Sequence, residues 1–277
     1  AGYKRKFVPR GFTVLDDDRS EGVLEEFPEL RPEDDGGPHV TEGGGVREAF
    51  RLFRQDRLEN LRVRVRAHRA KEIRNLLQNR KLDPETFNVE VWQLASGGQI
   101  EGEEFADQYK DGVAPSEDLL KTIETALERD NLELHGNHHW RPGTRIFGAQ
   151  FGHDRRRDSL RRALEILNRE EPAPLDKYRD LAEVDGFGPS TASGLVMLLH
   201  PEQFAVYNSK SKAGLRRLGG SFDTIEEFQS SLAELREMVG ASDYPELDRF
   251  LYLVAEDRIS IPGSAGGRPN VWWVNQG

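Results

Sequence analysis

The stretch that decides the fold is Leu181 to Leu198, LAEVDGFGPSTASGLVML. Gly186 and Gly188 permit a tight turn with positive φ and let a backbone come close, while Pro189 and Ser190 stand where a helix begins. Upstream, DKYRDLAEV follows Pro172 and Pro174 with helical spacing; downstream, PSTASGLVMLLH runs to Pro201. The reading is helix, glycine turn, helix. Such a turn presents N–H groups at the positive end of its second helix, an anion site suited to a DNA phosphate.

Beyond it stands HPEQFAVYNSKSKAGLRRLGG, residues 200–220. An apolar run, Phe204, Ala205 and Val206, leads into a polar step and then a helix bearing Lys210, Lys212, Arg216 and Arg217. As a pair, the two segments resemble the helix-hairpin-helix DNA glycosylase superfamily. Its hairpin reads like LPGVGxxTA and its next element like VDxxVxRxxxRLG. The resemblance covers residues 175 to 220 and extends toward 255. With no cysteine in the chain, it is to an atypical member lacking the iron–sulfur cluster.

The resemblance implies an all-α, two-lobed fold and a base-excising activity on damaged or modified DNA. One branch of that superfamily serves prokaryotic phage defence and removes hypermodified bases such as phage cytosines, which would place the chain in a prokaryotic cytoplasm. Matched residue by residue, Gly186, Phe187 and Gly188 fall on the hairpin turn, and Thr191 with Ala192 on the start of its second helix. Turn carbonyls in the superfamily also hold a monovalent cation. Ser190 takes the place where strand-nicking members carry a lysine, so the resemblance is to the monofunctional ones. Asn208 stands where they have an essential aspartate. A carboxylate about 4 Å from a developing oxocarbenium charge contributes on the order of 4 kcal/mol at an effective dielectric near 20, roughly a thousandfold in rate. An asparagine cannot supply it.

Substitute groups are Asp185, which replaces the usual hairpin proline, Asp154 with Asp158, and Lys210 as an amine nucleophile. A flipped base needs stacking partners, for which Trp92, Trp140, Phe147, Phe151 and Tyr207 are the candidates. The other reading of Asn208 is a helix cap: YNSKS reads as a helix N-terminus, with Asn208 or Ser209 capping. In that case the scaffold is a catalytically inactive DNA-binding module of a restriction, defence or repair complex. A third reading is a helical protein-interaction domain whose arginines pair with the chain's own acidic arm.

Outward from this core, charge is unevenly spread. The chain has 277 residues and a formal net charge of −10. Leu15 to Asp35 holds ten acidic residues against Arg19 and Arg31, and with the following prolines and glycines residues 1–45 read as an arm and linker. Residues 47–81 hold twelve Lys/Arg against four acidic residues, with apolar positions at helical steps. This predicts one or two helices with an arginine-rich outer face, either solvated or contacting phosphates. HDRRRDSLRR, residues 153–162, is a second basic patch, with Arg155 and Arg156 as phosphate ligands. Asp83-Pro84 and Ser116 are helix entries, and helices are expected over 209–218, 224–239 and 244–255.

The absence of cysteine excludes disulfides, thiolate zinc sites and cysteine nucleophiles. His135, His138 and His139 have poor spacing for a metal and read as a polar loop. No cofactor is expected, and no apolar run reaches the roughly 20 residues of a membrane span. The start, AGYKRKFVPRGF, has no apolar core of a signal peptide, which predicts an intracellular protein. The expected organisation is arm (1–45), basic helical lobe (46–170), hairpin lobe (171–260) and tail (261–277), the last with Trp272 and Trp273 packing it onto the body or stacking bases.

Overall fold

The computed structural model describes residues 44–94, 98–100, 103–105, 115–140, 142 and 146–262. The acidic arm and the two tail tryptophans lie outside the described residues. Helix α1 is Gly44–Gln55 and α2 is Arg57–Gln78. They are separated at Asp56, whose carboxylate accepts from the Glu59 amide and caps α2. Asp83 caps the short α3, Pro84–Phe87, which continues into a π-helical turn, Asn88–Trp92. Ser116 caps α4, Glu117–Glu128. Next come α5 (His153–Leu167), α6 (Pro174–Ala182), α7 (Pro189–Leu199) and α8 (Ser209–Arg217). Thr224 and Glu227 close a reciprocal capping box on α9, Ile225–Val239, and Asp243 caps α10, Tyr244–Ala255. The protein is mostly helical, as the sequence predicts.

A small antiparallel sheet is the departure from an all-helical pattern. Its strands are β1 (Gly98–Ile100), β2 (Glu103–Glu104) and β3 (Leu132–Leu134), in order β2-β1-β3, with Ile100 opposite Leu132 and Gly98 opposite Leu134. Runs of two or three residues are too short to show an alternating period in sequence.

Three apolar cores organise the helices. One joins Ile73 and Leu77 of α2 to Phe87, Trp92, and the inner faces of α5, α6 and α7. The second joins Phe50 and Phe53 of α1 to α8, α9 and α10, with Phe250 at 5.1 Å from Phe50. The third, smaller core sits between α2, α4 and β3. The cores do not divide the chain at residue 170: α1 goes with the C-terminal helices, and α2 serves all its neighbours, packing against α1, α4, α5, α7 and α10.

That central position reverses the expectation of an arginine-rich outer face on α2. Arg62, Arg66 and Arg69 are only 5%, 7% and 3% exposed. Glu59 lies between Arg62 (2.6 Å) and Arg249 of α10 (2.7 Å). Arg66 donates to Asp248 of α10 at 3.0 Å. Arg69 reaches the carboxylate and carbonyl of Glu90, both at 2.7 Å, and the Gly136 carbonyl at 2.8 Å. Burial alone would raise the Glu59 carboxyl, but the guanidiniums of Arg249 and Arg62 outweigh it and hold it below the usual range. Three of the twelve basic residues of what looks in sequence like a phosphate-binding stripe thus form an internal ion-pair ladder.

Candidate nucleic-acid interface

The hairpin is α6, a turn over residues 183–188, and α7. Gly186 has φ +85°, a region that disfavours any residue with a Cβ, and a Cβ there would also stand 2.8 Å from the Phe151 ring. Phe187 turns inward, 3% exposed, and meets Trp92 edge-on at 5.8 Å. It anchors the turn from below, so only its backbone is available to a ligand. Pro189 opens α7, and Gly188 at the cap position brings no side chain to its amides. The N–H groups of Gly186, Gly188, Ser190 and Thr191 have no acceptor among the described residues. Gly186 and Gly188 are half-buried, neither sealed in the core nor remote from cationic groups.

The first turn of α5 lies against this turn. Its cap position is Gly152, again without a side-chain cap, and the amides of His153, Asp154 and Arg155 have no acceptor among the described residues. Arg155 spans the two elements: its guanidinium lies 4.5 Å over the Phe151 ring and pairs with Asp185. Arg156 donates to the Ile146 carbonyl at 2.9 Å and covers Phe147. Arg157 pairs with Asp154 at 3.4 Å. Two helix N-termini, Arg155 and Arg156 therefore meet around the turn, while Arg157 leaves α5 in another direction and is held by its own helix.

The segment after α7 is tied to the hairpin by Ser193. Its hydroxyl donates to the Pro189 carbonyl (2.7 Å) and accepts from the Tyr207 amide (2.8 Å). The next residue, Asn208, caps α8 by accepting from the Lys210 and Ser211 amides, both at 2.9 Å. Ser211 in turn bonds Asp248 at 2.6 Å. Nothing about Asp248 alone singles it out in the sequence; its signal is a charged trio, Glu246, Asp248 and Arg249, inside the otherwise apolar α10. The seam beside it, lined by Ala205, Val206, Ser211, Tyr244 and Leu251, is too tight for a water molecule.

The remaining site residues are scattered. Lys210 pairs with Glu256 at 2.7 Å, and Lys212 lies 4.9 Å over Tyr207. Arg216 covers Phe222, and Arg217 donates to the Val254 carbonyl at the end of α10. These last two stand eight and nine residues from Asn208 along α8, about 12 Å by helical rise; Arg217 is drawn toward α10 and Arg216 toward Phe222, ahead of α9. Tyr207 is half-buried against Phe228. Trp140 is not a stacking platform: it is 4% exposed, with its indole against Gly194. Phe151 is likewise buried and works as the floor beneath Arg155 and Gly186.

The histidine loop folds inward. Burial, reinforced by Arg69 and Arg66, pushes His138 down to about 3, and burial with Arg66 holds His139 well below its usual range. Among the described residues no group of three or more His, Asp or Glu side chains is placed to hold a metal. At the hairpin, the Val184 and Gly188 carbonyls accept from the Phe187 and Ala192 amides. Among the described residues, no helix is long and apolar enough to cross a membrane.

No family model matches the chain, and neither the curated proteins nor the solved structures give a match to it.

Proposed function

We propose that this chain binds duplex DNA through the face where the α5 and α7 N-termini meet, on a two-lobed scaffold of the helix-hairpin-helix glycosylase kind. The observation that carries the reading is the set of hairpin amides without acceptors among the described residues, beside Arg155 and Arg156. Oriented N–H groups, a helix dipole and guanidinium forks all favour phosphate oxygens, and none of them reads base identity. Binding is accordingly sequence-tolerant and salt-sensitive.

Base excision is the second reading. In its favour, Ser193 fastens the segment carrying Asn208 to the hairpin, so the position where the resembled superfamily keeps its carboxylate stands at a helix N-terminus next to the turn. Against it, Asn208 is neutral and engaged as a cap, Lys210 is paired with Glu256, Asp185 with Arg155 and Asp154 with Arg157. Binding is the function that this arrangement supports better.

The test is fluorescence anisotropy of a labelled 25-base-pair duplex at increasing salt. With about four phosphates engaged, log K should fall against log salt with a slope near −3.5. Affinity that does not change with salt would refute the proposal. In parallel, duplexes carrying damaged, hydroxymethylated or glucosylated bases are incubated with the protein and treated with alkali. Strand cleavage would promote the excision reading.

A further inference from the structure

We infer that Asp185 is a built-in competitor of the DNA phosphate, holding Arg155 in the unbound protein and surrendering it when the duplex docks. The inference rests on the DNA-binding reading of the hairpin and refines it: Asp185 changes from a candidate catalyst to a residue that sets affinity.

The placement argues for this. Asp185 is the last residue before the positive-φ glycine, so its carboxylate stands at the edge of the amides that would receive a phosphate. An anion there repels the ligand that the turn attracts. The same carboxylate takes Arg155, whose guanidinium is otherwise supported, among the described residues, from below by the Phe151 ring, at 4.5 Å. Both members of the pair are more than half exposed, 58% and 51% by side chain, so water screens the pair and exchange is cheap. A phosphate offers guanidinium the same two-oxygen geometry as a carboxylate. Arg155 can therefore pass from one to the other by a small rotation while its plane stays over Phe151.

The neighbouring arginines give the contrast. Arg156 is fixed by a carbonyl and an aromatic ring, which add no negative charge, while Arg157 is held by Asp154 on its own helix. Only the Asp185 pair, of these three, links α5 to the hairpin turn. It is therefore the contact that docking at the turn must open.

The experiment compares wild type, Asp185→Asn, Arg155→Gln and the double variant in the anisotropy titration, with thermal melts as the folding control. Asp185→Asn should bind about fourfold more tightly near 0.1 M salt, the factor for one unit charge about 5 Å from the phosphate in a water-like dielectric. Its salt slope should steepen by about 0.9, because in wild type the carboxylate freed on docking takes up a cation that offsets one of those released from the DNA. In the Arg155→Gln background the same substitution should leave the slope unchanged, because Arg155 is gone. Equal or weaker binding by folded Asp185→Asn, or a steepened slope that persists without Arg155, overturns the inference while leaving DNA binding intact. A wild type without salt-dependent binding overturns both. Should Asp185→Asn melt early, Asp185→Ser replaces it under the same criteria.

Discussion

Replacing Glu59 by glutamine should be among the most damaging single substitutions in the folded body, although Glu59 is not one of the hairpin residues. The Glu59 carboxylate is bonded at 2.6 Å to Arg62 and at 2.7 and 3.0 Å to Arg249, and all three side chains are less than a tenth exposed. Glutamine keeps the shape and removes the charge. Two buried guanidiniums then face a neutral amide, a change that costs about 3–5 kcal/mol. At about 2–4 °C per kcal/mol for a body of this size, the melting temperature should fall by roughly 6–20 °C. Circular dichroism at 222 nm during heating measures it. The pH dependence has a definite sign: the folded carboxyl lies below its ordinary 4.5, so its contribution is complete above that value and is lost as pH falls through the folded value. Glu59→Gln should therefore also flatten the acid limb of the melting curve. A fall under about 3 °C would show that the ladder does not hold α2 to α10.

Three other substitutions probe the site and its surroundings. Gly186→Ala places a Cβ at φ +85° and 2.8 Å from Phe151, so it should cost about 1–3 kcal/mol in a chemical melt and weaken DNA binding several-fold, the anisotropy titration being the check. Ser193→Ala leaves the Tyr207 amide without its acceptor, costing about 1–3 kcal/mol and loosening the Asn208 segment, measurable as faster amide exchange at residues 207–211. His138 and His139 stay neutral in the fold while the unfolded chain takes up protons below about 6.5, so stability should decline as pH falls from there toward 3. The loss is roughly 1.4 kcal/mol per pH unit for each residue, and His138→Gln should remove its share of the slope in melts between pH 7 and 5.

Much of the chain declares itself locally. Asp83, Ser116, Asn208 and Thr224 all cap helices that their side chains make readable, and Gly186 turns the hairpin at positive φ, whereas Gly188 is extended, with φ −95°. What was not legible depends on contacts between segments far apart in sequence. Arg66 and Arg69 of α2 look solvent-facing because their carboxylate partners Asp248 and Glu90 are 182 and 21 residues away. Trp140 looks like a stacking surface until Gly194 is seen to make room for its indole. Asn208 shows the opposite case: its capping role follows from adjacent residues, whereas its attachment to the hairpin depends on Ser193, whose period in α7 says only that it is buried.

The first and last described helices have a topological consequence. Arg54 near the end of α1 is bonded to Glu246 at the start of α10 at 2.8 Å, and the backbone at Gly45 runs so close to Pro262 that a Cβ there would overlap its carbonyl. The body between residues 44 and 262 thus closes like a clasped bracelet. Joining those two points with a short peptide and opening the loop at Gly219–Gly220 should yield a circular permutant with the same helix content. In such a molecule the clasp becomes covalent, and α1 can no longer peel away from the C-terminal helices at the edge of the second core.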